Sequence, residues 1–243
     1  MKNKIVSAGP SISQGEIDLV TEAIREGWQE KMSWYIDQFV EEFSGYIGVE
    51  HCLPTAHCTD AIHLAMLALD IGPGDEVIVP DLTWVASVSP IIYVGATPVF
   101  ADVDNYMNID PKSVRRLVTD KTKAILLIHY AGRIGDIDAL LKLAKEYKLL
   151  ILEDISQAFG ATKADKIAGK IGDVSVLSIN SMKILSGLGE AGMIFTDNIS
   201  INNRIKNLHY NGMKDSVTCT EISLNHRLDT IQAAIILRRL ETV

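Results

Sequence analysis

Residues 124–154 read AILLIHYAGRIGDIDALLKLAKEYKLLILED and contain two apolar runs on either side of a longer mixed segment. The runs 124–129 and 149–153 are short and almost continuously apolar, which is typical of strands that are covered on both faces. The segment 137–147 between them has the length of a helix. Strand, helix and strand in this order predict two parallel strands joined by a crossover helix.

The same alternation continues on both sides of this unit. Strands are expected at residues 51–54, 76–79, 97–101, 124–129, 149–153, 174–178 and 192–196. Helices are expected at residues 14–27, 34–46, 59–69, 87–94, 111–118, 137–147, 199–209 and 228–240. Together they predict an α/β fold with three layers, α/β/α, built on a mostly parallel seven-stranded sheet. Residues 1–243 are expected to form one domain that includes the N-terminal helical segment.

The first and last helices show which side is expected to be buried. Ser13 is placed to cap the helix 14–27, whose apolar face comprises Ile17, Val20, Ala23 and Ile24. The corresponding stripe of 228–240 comprises Ile231, Ala234, Ile235 and Leu240.

The composition excludes several classes of protein. With 243 residues and 47% hydrophobic content, the chain can bury a large core. A net charge of −8 without a basic stripe argues against nucleic acid as a partner. The spacings of the three cysteines and of the histidines predict neither a disulfide framework nor a metal site. No apolar run is long enough to span a bilayer, and no apolar signal segment follows residues 1–6, so we expect a cytoplasmic protein without a membrane partner.

Polar residues follow several of the expected strands. They form the segments 56–60, 81–84, 129–130, 154–157 and 178–183. In open parallel sheets, ligands bind outside the carboxyl ends of the strands. We therefore expect a ligand site at one edge of the sheet, formed by these segments.

Lys183 and Asp154 indicate the chemistry of that site. Lys183 lies among small polar residues before the glycine-rich stretch 187–192, and Asp154 follows the strand 149–153. A lysine amine can form a Schiff base with the aldehyde of pyridoxal phosphate, and a carboxylate can keep the pyridine nitrogen protonated. Taken alone, Lys183 fits an ordinary surface lysine, and Asp154 fits an ordinary strand-end acid. Their combination favours a pyridoxal phosphate site.

Three more residues are open to two interpretations, and a fourth lies near Lys183. Thr59 and Asp60 lie where a strand turns into a helix, so they either seat a phosphate or simply cap the helix. Trp84 either stacks on a flat ring or packs at the rim. Ser178 lies upstream of Lys183, within reach of the same phosphate. The residues alone leave these alternatives open.

A series of segments in one order resembles a known family. The segments are Gly9-Pro10 with 13–16, 72–80 (GPGDEVIVP), 95–100 (GATPVF), 129–132 (HYAG), 153–154 (ED), 172–173 (GD), 178–183 (SINSMK), 189–192 (GEAG), 225–227 (NHR) and 232–234 (QAA). They resemble the DegT/DnrJ/EryC1/StrS family of sugar aminotransferases, which are fold-type-I enzymes that use pyridoxal phosphate. The stretch around Cys58 and residues 80–84 (PDLTW) are most similar to perosamine-synthase-like members. The resemblance implies that the chain is the large, cofactor-binding domain of that fold.

The resemblance also implies a role for each residue at the ring of the cofactor. It implies that Lys183 forms the Schiff base and that Asp154 contacts the pyridine nitrogen. Trp84 is implied to cover the ring face, and Gln157 to approach the ring hydroxyl.

At the phosphate end, the resemblance implies that Thr59, Asp60 and Ser178 surround the phosphate. Asn225 matches a residue that family members lend to the phosphate of the neighbouring subunit, which implies a homodimer with shared active sites. The implied reaction is amino transfer, with glutamate as donor, to a keto group of a nucleotide-linked deoxysugar used for cell-surface polysaccharides or secondary metabolites.

Four departures from the family pattern keep alternatives open. Ile179 replaces the usual aromatic residue, Ala191 replaces a glycine, and Ser223 stands where a glycine often precedes the asparagine. The chain ends at Val243, so the family's small C-terminal domain is expected to be missing. The alternative is a truncated or split paralogue that binds the cofactor or a partner chain without turnover. The family's dehydratase branch carries histidine in place of the Schiff-base lysine, so Lys183 argues against it.

Overall fold

The computed structural model describes residues 11–28 and 31–243, so the expected entry segment at Gly9-Pro10 lies outside the described residues. The helices are α1 (Gln14–Glu26), α2 (Trp34–Ile47), α3 (Cys58–Ala68), α4 (Val85–Tyr93), α5 (Pro111–Leu117), α6 (Ile137–Tyr147), α7 (Ile199–Leu208) and α8 (Thr230–Leu240). The strands are β1 (His51–Thr55), β2 (Glu76–Pro80), β3 (Thr97–Ala101), β4 (Thr122–Ile128), β5 (Leu150–Asp154), β6 (Thr162–Lys163), β7 (Lys166–Ile167), β8 (Val174–Ser178) and β9 (Gly192–Thr196).

Seven strands form one sheet in the order β1-β9-β8-β5-β4-β2-β3. The strands β8, β5, β4, β2 and β3 are parallel, and β9 runs antiparallel to its neighbours β8 and β1. The connection from β8 to β9, all of it within the described residues, contains no helix, and such short connections join antiparallel strands. The predicted α/β class with a mostly parallel seven-stranded sheet is confirmed.

Helices cover both faces of the sheet because successive side chains of each strand point to opposite sides. In β4, Ala124 and Leu126 belong to the core under α3 and α7, whereas Ile125 and Leu127 belong to the core under α5 and α6. Beside α5 and α6, the helices α2 and α8 cover a third core that contains Phe43. The strand ends are thereby left as the place where polar side chains can gather.

The predicted buried face of α1 is confirmed only in part: Ala23 is buried in the core and Val20 packs against it. Ser13 caps the helix as expected, with its side chain accepting a hydrogen bond from the Glu16 N–H. However, Ile17 and Ile24 are 49% and 53% exposed, whereas Glu16 is buried. The reason is Arg239 on α8, whose Nε donates to Glu16 Oε1 at 2.6 Å. A buried ion pair therefore sets the rotation of α1 against α8.

The last helix shows a smaller difference of the same kind. Ala234, Ile235 and Leu240 are buried as predicted, but Ile231 in the first turn is 43% exposed. The helix begins at Thr230, and Asp229 caps it by accepting a hydrogen bond from Gln232 N–H.

Two local features were not predicted. The antiparallel hairpin β6–β7 has strands of two residues each, and a 3-10 turn covers Tyr130–Gly132. Both are too short to produce a hydrophobic period. In the described part of the chain, none of the helices has the length and apolarity needed to cross a lipid bilayer.

Candidate functional site

A cavity of about 720 Å³ opens at the carboxyl ends of the central strands. Its walls come from the starts of α3 and α4, the ends of β4, β5 and β8, and the loop that follows β8. Six of the eight candidate residues line it: Thr59, Trp84, Asp154, Gln157, Ser178 and Lys183. The other two, Asp60 and Asn225, are not part of its lining.

Lys183 lies in the loop between β8 and β9 and is half-buried. Its backbone N–H donates to the Asn180 carbonyl oxygen at 2.9 Å. Further along the loop, Leu188 N–H donates to Gln232 Oε1 of α8 at 3.0 Å. The loop is therefore held both by its own turn and by α8, which keeps Lys183 at the cavity.

Asp154 is the last residue of β5, and it is buried. Its Oδ1 accepts a hydrogen bond from Ser156 N–H at 2.8 Å. Burial raises the pKa of the Asp154 carboxyl, and this effect is opposed by hydrogen bonds from Ser156 and by the charge of Lys183. A buried carboxyl that shares a cavity with a lysine is suited to hold a protonated heterocyclic nitrogen, because the two charges would compensate each other.

The start of α3 forms one end of the cavity. No side chain caps this helix, so the N–H groups of its first turn and the helix dipole favour an anion there. The side chains of His57, Cys58 and Thr59 line the cavity at this end. Burial raises the pKa of the Cys58 thiol, which therefore stays protonated. This end of the cavity fits a phosphate.

Trp84 and Gln157 offer a flat surface and a polar amide. Trp84 precedes α4 and is 74% exposed, so its indole is open to a flat ligand. Gln157 Oε1 accepts a hydrogen bond from Ala131 N–H at 2.8 Å, which leaves the Gln157 NH₂ group as the available donor. Ala131 has a φ of 51°, a left-handed conformation of the kind that concentrates at functional sites.

Asp60 is engaged by two histidines. Its Oδ2 lies 2.9 Å from His57 Nδ1, and its Oδ1 lies 3.6 Å from His226 Nδ1. Burial by itself raises the pKa of Asp60, but the neighbouring rings of His226 and His57 lower it below the usual value. The carboxylate is therefore ionised. It contacts the His57 ring, and His57 in turn lines the cavity.

Asn225 is exposed and pairs with Tyr210 in an isolated β-bridge. This position lies outside the cavity of its own chain.

Two of the residues that depart from the family pattern lie in the core. Ile179 and Ala191 are fully buried, and Ile179 N–H donates to the Ala191 carbonyl oxygen at 2.8 Å. Neither side chain lines the cavity, so both departures alter core packing and leave the lining unchanged.

Eleven residues of the lining were not among the candidates, and His57, Cys58 and Ser156 are three of them. All three lie in segments that follow strands, so their position was a usable signal, but their roles depend on contacts between elements. Within residues 11–28 and 31–243, no group of three or more histidine, cysteine or acidic side chains is arranged to hold a metal ion.

The chain is similar to known proteins along nearly all of its length. The GDP-perosamine synthase of Caulobacter vibrioides is 38% identical to it over 243 residues, which cover 99% of this chain and 65% of the relative. The solved aminotransferase from Psychrobacter cryohalolentis is 32% identical with a TM-score of 0.91, over 98% of this chain and 64% of that one. NtdA from Bacillus subtilis, solved with bound cofactor PMP, is 29% identical with a TM-score of 0.86, over 99% and 57%.

The chain thus spans less than two thirds of the length of these three proteins. Residues 10–243 match the family described as the DegT/DnrJ/EryC1/StrS aminotransferase family. A match over this much of the sequence, together with the shared fold, shows that the chain belongs to the DegT/DnrJ/EryC1/StrS aminotransferase family.

Proposed function

We propose that this chain holds pyridoxal phosphate and transfers an amino group to the keto group of a nucleotide-linked deoxysugar. The observation that carries the proposal is that Lys183, Asp154 and the uncapped start of α3 meet at one cavity. An amine, a buried carboxylate and a seat for an anion are the three groups that this cofactor needs.

The residues of the cavity fit the cofactor from end to end. Lys183 would hold the aldehyde, Asp154 the ring nitrogen and Trp84 the ring face. The free NH₂ group of Gln157 would donate to the ring hydroxyl, since its oxygen is already bonded to Ala131.

The phosphate would bind at the start of α3. The hydroxyls of Thr59 and Ser178 and the first N–H groups of the helix supply the donors. Asp60 would contribute through His57, because its carboxylate contacts that ring and does not line the cavity.

When it is bound, pyridoxal phosphate supplies an aldehyde that condenses with amines and a ring that accepts electron density from a carbon losing its proton. Lys183 Nζ would take the proton from the donor's α-carbon and deliver it to the C4′ atom of the cofactor. In the second half of the reaction it would move a proton from C4′ to the former keto carbon of the sugar. The Asp154 carboxylate would hold the proton on the ring nitrogen. Lys183 would thus move a proton between carbon atoms, and Asp154 would hold the proton of the ring nitrogen in place.

The substrate class is inferred from relatives. The Caulobacter relative is named for the synthesis of GDP-perosamine, a nucleotide-linked sugar, and NtdA was solved with PMP. An acceptor for amino transfer must carry a carbonyl group, so a keto-sugar linked to a nucleotide is the proposed acceptor and glutamate the proposed donor.

We also propose that two copies of the chain share their active sites. Asn225 is exposed and lies away from the cavity of its own chain. In a homodimer its NH₂ group would donate to the phosphate held by the partner, because its Oδ1 already accepts a hydrogen bond from Arg227 N–H at 3.2 Å.

The proposal is tested by the absorption spectrum of the purified protein with pyridoxal phosphate. A Schiff base between the cofactor and Lys183 gives a band at the violet edge of the visible range, and added glutamate should convert that band to the amine form of the cofactor. Lys183→Ala should lose the band completely, because the amine that forms the bond is gone.

The matched control is Lys142→Ala, which removes an exposed lysine on α6, away from the cavity. This variant should keep the band of the wild-type protein. A band that persists unchanged in Lys183→Ala would show that another amine carries the cofactor, and a wild-type protein without any band would refute the proposed function.

A further inference from the structure

We propose that His57 is the positively charged ligand of the cofactor's phosphate group, and that Asp60 is a positioning residue that holds the His57 ring. This inference rests on the proposed function, because it assigns both residues a role toward bound pyridoxal phosphate. The family resemblance implies Thr59, Asp60 and Ser178 at the phosphate and gives His57 no role there.

His57 lies where β1 leads into α3, and it lines the cavity beside Cys58 and Thr59. It occupies the N-cap position of α3, but its side chain makes no capping hydrogen bond. The His57 side chain is 51% exposed, whereas that of Asp60 is 25% exposed and does not line the cavity. The His57 ring is therefore the member of the pair that a ligand can reach.

The contact with Asp60 determines which nitrogen of the His57 ring is available. Nδ1 lies 2.9 Å from Asp60 Oδ2, and an ionised carboxylate can only accept hydrogen bonds. Nδ1 therefore carries a proton and donates to Asp60. Within residues 11–28 and 31–243, this is the one hydrogen bond that the ring makes, so Nε2 remains for a ligand.

The charges of the cavity indicate why a cation is needed at this end. A phosphate group attached through one oxygen carries about two negative charges at neutral pH. Among the described residues of the lining, the basic side chains are those of Lys183 and His57, and Lys183 is assigned to the aldehyde. Asp154 and Glu190 add acidic groups to the same lining. His57 is thus the group available to balance the charge of the phosphate.

Asp60 favours the charged form of the His57 ring and fixes its orientation. An imidazole between two anions, here the carboxylate and a bound phosphate, is stabilised in its protonated form. Both ring nitrogens would then donate, Nδ1 to Asp60 and Nε2 to a phosphate oxygen. The other oxygen of Asp60 lies 3.6 Å from Nδ1 of His226, which is buried and outside the lining. Asp60 therefore contacts one buried ring and the ring that would meet the ligand.

The experiment compares the dissociation constants of pyridoxal phosphate and of pyridoxal, which has the same ring and aldehyde but no phosphate. Both are measured by titrating the absorption band of the Schiff base at one pH and one ionic strength. His57→Gln should weaken the binding of pyridoxal phosphate about tenfold, as expected for a lost hydrogen bond between charged groups. It should bind pyridoxal with the wild-type constant, because this ligand offers Nε2 no partner. His57→Arg, which keeps a positive charge, should bind pyridoxal phosphate more tightly than His57→Gln does.

The role of Asp60 is tested in the same assay. Asp60→Asn should weaken the binding of pyridoxal phosphate, because the ring loses the anion that favours its charged form. In the His57→Gln background the same change should have no further effect, since a residue that acts through His57 has nothing left to hold. Asp60→Asn should leave the binding of pyridoxal unchanged.

His51→Gln is the matched control. His51 is a half-buried histidine of β1 that also lies beside a carboxylate, with its Nε2 3.9 Å from Glu50 Oε2, but it does not line the cavity. This variant should keep the wild-type dissociation constants of both ligands.

Four results would overturn the inference. One is a His57→Gln protein that binds pyridoxal phosphate with the wild-type constant, and another is an equal loss for both ligands, which would show a structural role for His57. The third is a folded His57→Arg protein that binds no better than His57→Gln, and the fourth is an equal effect of Asp60→Asn in both backgrounds. A wild-type protein that binds no pyridoxal phosphate would instead remove the proposed function, and this inference with it.

Discussion

Glu153 precedes Asp154 on β5, and the structure treats the two neighbouring carboxyl groups differently. Both are buried, but only Asp154 lines the cavity. Glu153 receives hydrogen bonds from Gly169 N–H, Ile171 N–H, Gly172 N–H and Ser175 Oγ, and its Oε1 lies 2.9 Å from His129 Nε2. Burial alone would raise the pKa of Glu153, yet these partners hold it below the usual value. Glu153 is therefore an ionised residue that supports the fold, whereas Asp154 is available to contact a ligand.

This difference predicts how Glu153 supports the fold at different pH values. Because the folded-state pKa of Glu153 is lowered, its contribution is complete above the unfolded pKa of about 4.3 and is lost as the pH falls through the folded value. Glu153→Gln should lower the free energy of unfolding by about 3 kcal/mol at neutral pH. Urea unfolding should show this deficit shrinking in acid. Glu42→Gln, at an exposed position of α2, should show no such deficit, and a deficit independent of pH would contradict the assignment.

At the residue scale, the sequence predicted the members of the site better than their contacts. Lys183, Asp154 and Trp84 follow strands, and strand ends in a parallel sheet converge, so their meeting at one cavity could be expected. Asp60 was expected beside the phosphate, but its carboxylate contacts two histidines, one of them 166 positions away in sequence (226 − 60). Ser156 escaped notice for the same reason, since its partners come from three different elements.

At the scale of elements, Arg239 joins α8 to α1 and to the loop that carries Lys183. Its Nε donates to Glu16 Oε1, and its Nη1 donates to the carbonyl oxygens of Ser186 and Gly187 at 2.6 and 2.8 Å. Arg239→Met should lower the free energy of unfolding by about 3 kcal/mol, because the Glu16 carboxylate would be left buried without its cationic partner. The measurement is urea unfolding followed by circular dichroism.

The neighbouring residue provides the control for this prediction. Arg238 is exposed and pairs with Glu241 at the surface, so Arg238→Met should change stability by less than about 0.5 kcal/mol. The double variant Glu16→Gln/Arg239→Met should recover part of the loss. Equal losses of stability in Arg239→Met and Arg238→Met would show that the buried ion pair stabilises the protein no more than the surface pair does.

The elements themselves were largely predictable, and the exceptions have a common cause. All seven sheet strands were placed to within two residues of their observed bounds, because short runs of strand-forming residues between helix-length segments leave a clear signal. The hairpin β6–β7 was missed because two residues per strand leave no period. Half of the predicted face of α1, Ile17 and Ile24, was wrong because a charged residue, Glu16, is buried through its partner on α8.

At the scale of the whole molecule, the shared-site proposal predicts complementation between inactive copies. Lys183→Ala lacks the amine, and Asn225→Ala should bind pyridoxal phosphate more weakly, by about tenfold, through loss of a hydrogen bond to a charged group. When the two variants are mixed and allowed to exchange subunits, each heterodimer contains one site with both residues intact. Cofactor binding of wild-type strength should therefore reappear in the mixture. Its absence, with heterodimers present by mass spectrometry, would contradict the shared site.

The hydrophobic pattern of the sequence does not determine the order of the strands in the sheet. A mostly parallel sheet of seven strands follows from the apolar runs and helices between them, but the pairing of β1 with β9 does not, since these strands lie far apart in the chain. Short connections favour antiparallel neighbours, so the reversal at β9 was readable from the missing helix after β8. Which strand then closes the edge depends on packing over the whole sheet.

That pairing has a consequence for how the protein is made. During translation β1 emerges early, but the strand that bonds to it, β9, emerges only after every other strand of the sheet. A nascent chain must therefore carry β1 as an unpaired segment while the middle of the sheet assembles, and contacts of such long range slow folding. Closing the sheet must therefore wait until residues 192–196 have left the ribosome, which makes the nascent chain a natural client for chaperones.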